Sequence, residues 1–202
     1  MKASLARSAA AGVLICMGCI VNLKVGGGIP GAILFSAGLW FVVNFNAELF
    51  TGRVTQDRYS VVWKLVMLLM NVISAGVCGI LASVFLPEIM ESSAKITAAY
   101  ADPLKVLWQS VMCGVCMYLA TSWPPAAPAS PDQSRLPFVI YGVALFILSG
   151  YGHSIALAGY AAIARDIAWW VIPLAAAGNA LGSYVIKFLL VPDSVPWKKK
   201  AE

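Results

Sequence analysis

Along the chain, long apolar runs alternate with short polar or glycine- and proline-rich interruptions. After Lys2 and Arg7 the first run covers Ala9 to Val21. A charged start before an apolar stretch also fits a signal peptide, but no A-x-A-like site follows, so the run predicts a first transmembrane helix. Val25-Gly26-Gly27-Gly28-Ile29-Pro30 predicts a turn. A second run, Ala32 to Ala47, stops at Glu48 and a polar stretch through Arg58, and Val61 to Leu86 is the third. A mixed connection, Pro87 to Pro103, leads to a fourth span from Leu104 to about Leu119, closed by a proline-rich loop at Pro124 to Pro131. The fifth run, Leu136 to Leu148, is interrupted by Ser149-Gly150-Tyr151-Gly152-His153-Ser154 and resumes weakly through Ile163, and the sixth is Ala168 to Val191. At about 20 apolar residues per crossing, the pattern predicts an all-α membrane protein with six transmembrane helices. It forms a single transmembrane domain over 1-202, with no room for a soluble one.

Composition supports that reading. Of 202 residues, 60% are hydrophobic and 11% charged, with mean hydropathy +0.82, whereas soluble domains carry about 25% charged residues. The net charge of +5 excludes nucleic acid as a partner, because the basic residues lie in short connections and in Lys198-Lys199-Lys200 and do not mark one surface. They do set orientation. The side of the two termini and the connections around Arg53, Arg58, Lys64 and Arg135 holds most of the Lys and Arg, against Lys24, Lys95, Lys105 and Arg165 opposite. The positive-inside rule therefore places both termini in the cytoplasm, in an inner (plasma) membrane. Cys16-x-x-Cys19 and Cys113-x-x-Cys116 have redox or zinc spacing, yet they sit inside apolar runs, where the spacing places two thiols on one helix face and predicts packing. With one histidine in the chain, no metal cluster, hydrolytic triad or phosphate-binding glycine loop is visible. No metal, no cofactor and no enzymatic role is expected. The tryptophans fall toward span ends, as interfacial anchors do.

Divided after the third span, the chain gives two halves of one plan, approximately 1-86 and 103-191. In each, the middle helix is interrupted: at Glu48-Leu49-Phe50-Thr51-Gly52 in the first and at Gly150-Tyr151-Gly152-His153-Ser154-Ile155-Ala156 in the second. Three spans per half make the repeats inverted, and interrupted apolar segments at corresponding places of inverted repeats point to a transport site near the midplane. Unpaired backbone at that depth is tolerated only where it lines a cavity or is buried in protein. Each closing helix also carries an amide, Asn71 and Asn179, able to brace a broken loop through two donors and an acceptor. Ordinary interhelical hydrogen bonding is the competing account.

Glu48-Leu49-Phe50-Thr51-Gly52, His153-Ser154-Ile155-Ala156 and Gly178-Asn179-x-x-Gly182 resemble, in order and spacing, the signature motifs of the formate/nitrite transporter family, and the likeness runs from the first helix to the last. The resemblance implies an aquaporin-like fold with helices two and five broken, a homo-pentamer with one pore per protomer, and passage of small monovalent anions such as formate, nitrite, hydrosulfide, acetate or lactate. It makes His153 the central pore histidine, with Thr51 and Asn179 beside it. Apolar constrictions on either side would involve Phe35, Leu39, Leu49, Phe50 and Phe146, and Lys105 would attract anions at the outer start of the fourth span. Three positions depart from the family pattern: Gly152 stands where an acidic residue is usual, Leu157 where Asn is, and Ser74 where Gly is. They bear on substrate more than on fold.

An anion entering hydrocarbon meets a large desolvation cost. A histidine, with a reference pKa near ~6.5, attracts the anion when protonated and, by giving up the proton, makes a weak acid neutral. Protons are thus expected partners alongside the anion and the lipid bilayer. Glu48, whose charge would repel anions, is expected to be held by loop N–H groups or to be neutral. Alternatives are a pore for a neutral small solute, a membrane redox protein using the cysteine pairs and a quinone, and a nonconducting structural subunit.

Overall fold

The computed structural model describes residues 4–122, 135–168 and 170–191. Lys2, the proline-rich loop, Trp123, Trp169, Trp197 and the Lys198-Lys199-Lys200 cluster lie outside the described residues. Secondary structure among the described residues is helical: α1 (Leu5–Lys24), α2 (Gly28–Asn44), α3 (Phe50–Arg53), α4 (Val61–Phe85), α5 (Met90–Ala98), α6 (Pro103–Thr121), α7 (Leu136–Leu148), α8 (Ser154–Ala164) and α9 (Val171–Leu190), with a 3-10 turn, Pro87–Ile89, before α5. Four of these, α1, α4, α6 and α9, are long and apolar enough to cross a membrane, and α2, α7 and α8 are shorter apolar helices.

Several boundaries follow from local chemistry. Gly26, Gly27 and Gly28 have φ of 78°, 74° and 62°, a left-handed stretch that glycine adopts at little cost. It turns the chain sharply enough for α2 to start at Gly28, so the predicted turn is three residues shorter than its composition suggests. Pro30 falls in the first helical turn, where its missing N–H costs nothing. The stretch 87–103, expected to be an irregular connection, instead contains α5, a helix with low overall hydrophobicity whose Ser93 and Thr97 are buried. Ser93 donates to the Tyr160 carbonyl on α8 at 2.7 Å. A helix stabilised by tertiary packing of polar residues carries no apolar signal in sequence. Arg165 ends α8 at φ 56°, a conformation unfavourable for a residue with a Cβ. Its guanidinium donates twice, at 3.2 Å, to Ser83 Oγ on α4.

Helices α1 and α4 cross closely, as do α6 and α9. Further, α2 lies against α1 and α7, α3 against α4, α6 and α9, and α8 against α1, α4, α5 and α9. The close crossings depend on glycine. A Cβ at Gly12 would overlap Ser74 Oγ and the Asn71 carbonyl, and one at Gly182 would overlap the Val111 carbonyl. Apolar outer faces such as Leu65, Leu69, Ile73, Val77, Ile80 and Val84 of α4 are exposed. The interior holds an apolar core together with buried polar residues such as Asn71, Asn179 and Ser183, and polar groups kept away from lipid suit a lipid solvent. The five cysteines are free, with Cys16, Cys19, Cys113 and Cys116 buried, so their spacing reflects helix packing.

Replacing Gly182 with Leu inserts a side chain into backbone, and overpacking costs about 1–3 kcal/mol or more. The expected outcome is a thermal unfolding midpoint several degrees lower in detergent, whereas the same change at Gly76, which faces open space, leaves it nearly unchanged.

Candidate functional site

The chain leaves helix between Asn44 and Phe50 and again between Leu148 and Ser154. Each segment is buried at its inner end, Ala47 to Leu49 and Gly152 to His153, where backbone groups must find partners without water. Two asparagines supply them in the same pattern. Asn71 Oδ1 accepts from Phe50 N at 2.8 Å while Nδ2 donates to the carbonyls of Glu48, 3.0 Å, and Ser8, 2.6 Å. Asn179 Oδ1 accepts from Ser154 N at 2.9 Å, and Nδ2 donates to the carbonyls of Gly152 and Ser110, both at 2.8 Å. Both residues are fully buried. Each therefore ties a non-helical segment to two helices. The equivalences are residue by residue: Ser8 with Ser110, Glu48 with Gly152, Phe50 with Ser154, and hence Leu49 with His153.

Glu48 lies at the first segment with 1% exposure. The loop's own N–H groups do not hold its carboxylate, as the sequence suggested; groups at the start of α1 and on α4 do. Oε1 accepts from Arg7 Nη2 at 2.9 Å, and Oε2 accepts from Ser4 N at 3.1 Å, Trp63 Nε1 at 3.3 Å and Ser8 Oγ at 3.4 Å. Trp63, expected to be only an interfacial anchor, is thus a hydrogen-bond donor to this buried charge.

His153 is the N-cap of α8. Its Nδ1 accepts from Ala156 N at 3.1 Å, so that nitrogen carries no proton in this arrangement and the ring proton, assigned from the hydrogen bonds, sits on Nε2. Nε2 lies 2.9 Å from Thr51 Oγ1 and donates to it, leaving the Thr51 hydroxyl hydrogen for another acceptor. The two interrupted segments meet at this bond. Phe146 stacks on the imidazole at 5.6 Å and 22°, and Phe35 meets Phe146 edge-on at 5.6 Å. Phe35, Leu39, Leu49 and Phe146 belong to one apolar cluster. Phe50, grouped with them by its motif, packs elsewhere, with Val54, Met67 and Ala176, because its backbone bond to Asn71 directs it toward α4 and α9.

Two cavities approach this cluster. One, of about 200 Å³, is lined by His153, Phe146, Tyr160, Asn22, Gln109 and Tyr100 among others, with no charged side chain. Tyr160 OH accepts from Asn22 Nδ2 at 2.9 Å. The second, of about 280 Å³, is lined by Leu49, Asn46, Thr121, Arg53 and Arg135 among others. Arg53 donates to Asn46 Oδ1 and to Gln56 Oε1. Sequence reasoning used Arg53 and Arg135 only to orient the chain and did not single out Asn22, Gln109 or Tyr160; nothing in linear spacing marks residues from five helices as neighbours. Lys105 is exposed in the first turn of α6, one turn before Gln109. Among the described residues no group of three His, Cys, Asp or Glu side chains is placed to hold a metal.

Removing the Asn179 amide strands one N–H and two carbonyls, at about 1–3 kcal/mol for each buried group left unpaired. Asn179→Leu and Asn71→Leu are each expected to lower unfolding stability by roughly 3 kcal/mol or more, measured by denaturation in detergent. An Asn→Leu change at exposed Asn44 is the control.

The family model for formate/nitrite transporters matches residues 1–192. Among solved structures, a pentameric formate channel with formate bound is 18% identical, with a TM-score of 0.75 over 98% of this chain and 96% of its own. An ion channel of the same family is 19% identical, also with a TM-score of 0.75, over 95% of this chain and 90% of its own. No curated protein matches the sequence.

Proposed function

The chain belongs to the formate/nitrite transporter family, and from that membership we propose that it conducts small monovalent anions, namely formate, nitrite, hydrosulfide or short-chain carboxylates, with His153 coupling permeation to protonation. The observation that carries this reading is the bond between His153 and Thr51, with Phe146 of the apolar cluster that contributes to the lining of both cavities stacked on the imidazole. In this reading α2 with α3 and α7 with α8 are the broken second and fifth of six spans, and the two halves form inverted repeats of an aquaporin-like single domain. The protomers assemble as a homo-pentamer in the inner membrane with both termini cytoplasmic. Asn71 and Glu48 brace the first loop and Asn179 the second.

The electrostatics favour an anion. Arg53 and Arg135 bring fixed positive charge to the Leu49 side, and guanidinium is weakly hydrated and suited to carboxylates. On the other side, in this reading, Lys105, exposed in the first turn of α6, attracts anions, and the N-terminus of α8, capped by His153, contributes its positive end. Glu48 does not oppose this, since Arg7 neutralises it. The apolar cluster between the cavities is the barrier a charge crosses poorly.

A proton on Nδ1 replaces the Ala156 hydrogen bond, so charging the ring and uncapping α8 are one event. Transfer of that proton to a carboxylate gives the neutral acid and the neutral, recapped imidazole, and the proton-rich side reprotonates the ring for the next cycle. Thr51 holds Nε2 throughout and offers its own hydroxyl hydrogen to the anion.

Uptake of formate, nitrite, hydrosulfide, acetate and lactate into proteoliposomes at about pH 5.5 and about pH 7.5 brackets the histidine range. Wild type is expected to show saturable flux that is faster in acid, and His153→Asn to lose that pH dependence along with roughly tenfold or more of the rate, the scale of general acid–base catalysis being about 100-fold or more. Flux with unchanged pH dependence in His153→Asn overturns the coupling, and transport of neutral solutes without anion competition overturns the anion reading.

A further inference from the structure

At the first interrupted segment the protein supplies a carboxylate and the donors to hold it: Glu48 with Arg7 and Ser8 of α1. The hydrogen bonds of Asn71 and Asn179 align Ser8 with Ser110 and Glu48 with Gly152. Arg7 therefore corresponds to Gln109, the residue before Ser110. At the second segment the donors are present and the carboxylate is not. Gly152 has no side chain and so supplies no carboxylate, and a Cβ there would lie 2.9 Å from Ser110 Oγ and 3.0 Å from Tyr100 Cε1. Ser110 Oγ and Gln109 Oε1 are buried and make no hydrogen bond among the described residues, and Ser110 is fully buried. Gln109 lines the same cavity as His153, and its amide lies beside Gly150.

Resting on the anion-conducting reading above, we propose that the carboxylate missing from the second segment is the cargo's own: Gln109, which precedes the buried Ser110 on α6, is a cargo-contacting residue that holds a carboxylate in the cavity next to His153. Three observations converge on this ligand. Gln109 occupies the place of a residue whose partner is a carboxylate. Ser110 donates through its hydroxyl, and the Gln109 amide, whose Oε1 is the unpaired atom, donates to a carboxylate once a half-turn exchanges Oε1 with Nε2. No carboxylate lines the cavity to repel an anion. A neutral amide suits transit better than the arginine of the first segment, because a guanidinium would hold the anion as Arg7 holds Glu48, while an amide binds and releases it. Lys105, one turn earlier on the same helix, is exposed.

The test combines formate flux in proteoliposomes with saturation-transfer NMR of the formate proton on detergent-solubilised protein. Gln109→Leu is expected to raise the KM for formate about five- to tenfold with kcat little changed, as loss of a ground-state contact does. Ser110→Ala is expected to act in the same direction more weakly, and Gln109→Glu, which places a carboxylate where the cargo should sit, to abolish both flux and the NMR signal. If wild type carries formate and Gln109→Leu and Gln109→Glu leave KM and signal unchanged, the site is overturned while the anion reading stands. If wild type carries no anion but its formate signal is lost in Gln109→Leu, the site stands and the conduction reading falls. Neither flux nor signal in wild type overturns both.

Discussion

Backbone that leaves helical geometry inside a membrane protein has no water to satisfy it, and the rest of this structure is arranged around that constraint. Two asparagines, each fully buried, pair the N–H and carbonyl groups of the two interrupted segments with groups of α1 and α6. The close crossings of α1 with α4 and of α6 with α9 bring each amide within reach, and those crossings require glycine at positions 12, 114 and 182. Small residues, amides and loops are thus one device. The glycines permit the approach, the approach delivers the amide, and the amide stabilises a backbone conformation that otherwise costs several kcal/mol in hydrocarbon.

The same device appears twice, and the functional asymmetry comes from what each segment carries. Leu49 and His153 are equivalent positions, one apolar and one titratable. Glu48 and Gly152 are equivalent, one supplying a charge and the other none. Both cavities end at one apolar cluster, but guanidinium groups line the Leu49 side and neutral polar groups the His153 side. Two segments braced in the same way therefore give two chemically different approaches to a single bond between Thr51 and His153.

Much of this was legible in the sequence. The apolar runs located the helices to within a few residues, Leu136 to Leu148 at both ends, and the two interruptions and the paired amides stood out from the halves' shared plan. The motifs gave the family, which the match over residues 1–192 bears out. Other features were not legible. Helix α5 forms in a stretch with no apolar periodicity because α8 holds its polar face. Phe50 and Leu49, adjacent in one motif, go to different clusters because the Asn71 bond fixes the backbone between them. Trp63 and Arg7 gave no sign that they hold Glu48, since both lie in ordinary positions of apolar helices.

What the sequence determined by itself was set by solvent and local geometry: which segments are apolar enough to enter lipid, where glycine and proline interrupt them, and which polar residues remain inside. These are properties of short stretches, and hydrocarbon leaves few alternatives. Tertiary structure alone decided which polar groups meet. Thr51 and His153, 102 residues apart in the chain, share a hydrogen bond because the fold brings α3 and the N-cap of α8 together. Among the described residues, Ser110 Oγ is left without a partner where Gly152 carries no side chain opposite it. Hydrogen bonding is short-ranged and directional, so these pairings depend on the placement of whole helices, which no local pattern encodes.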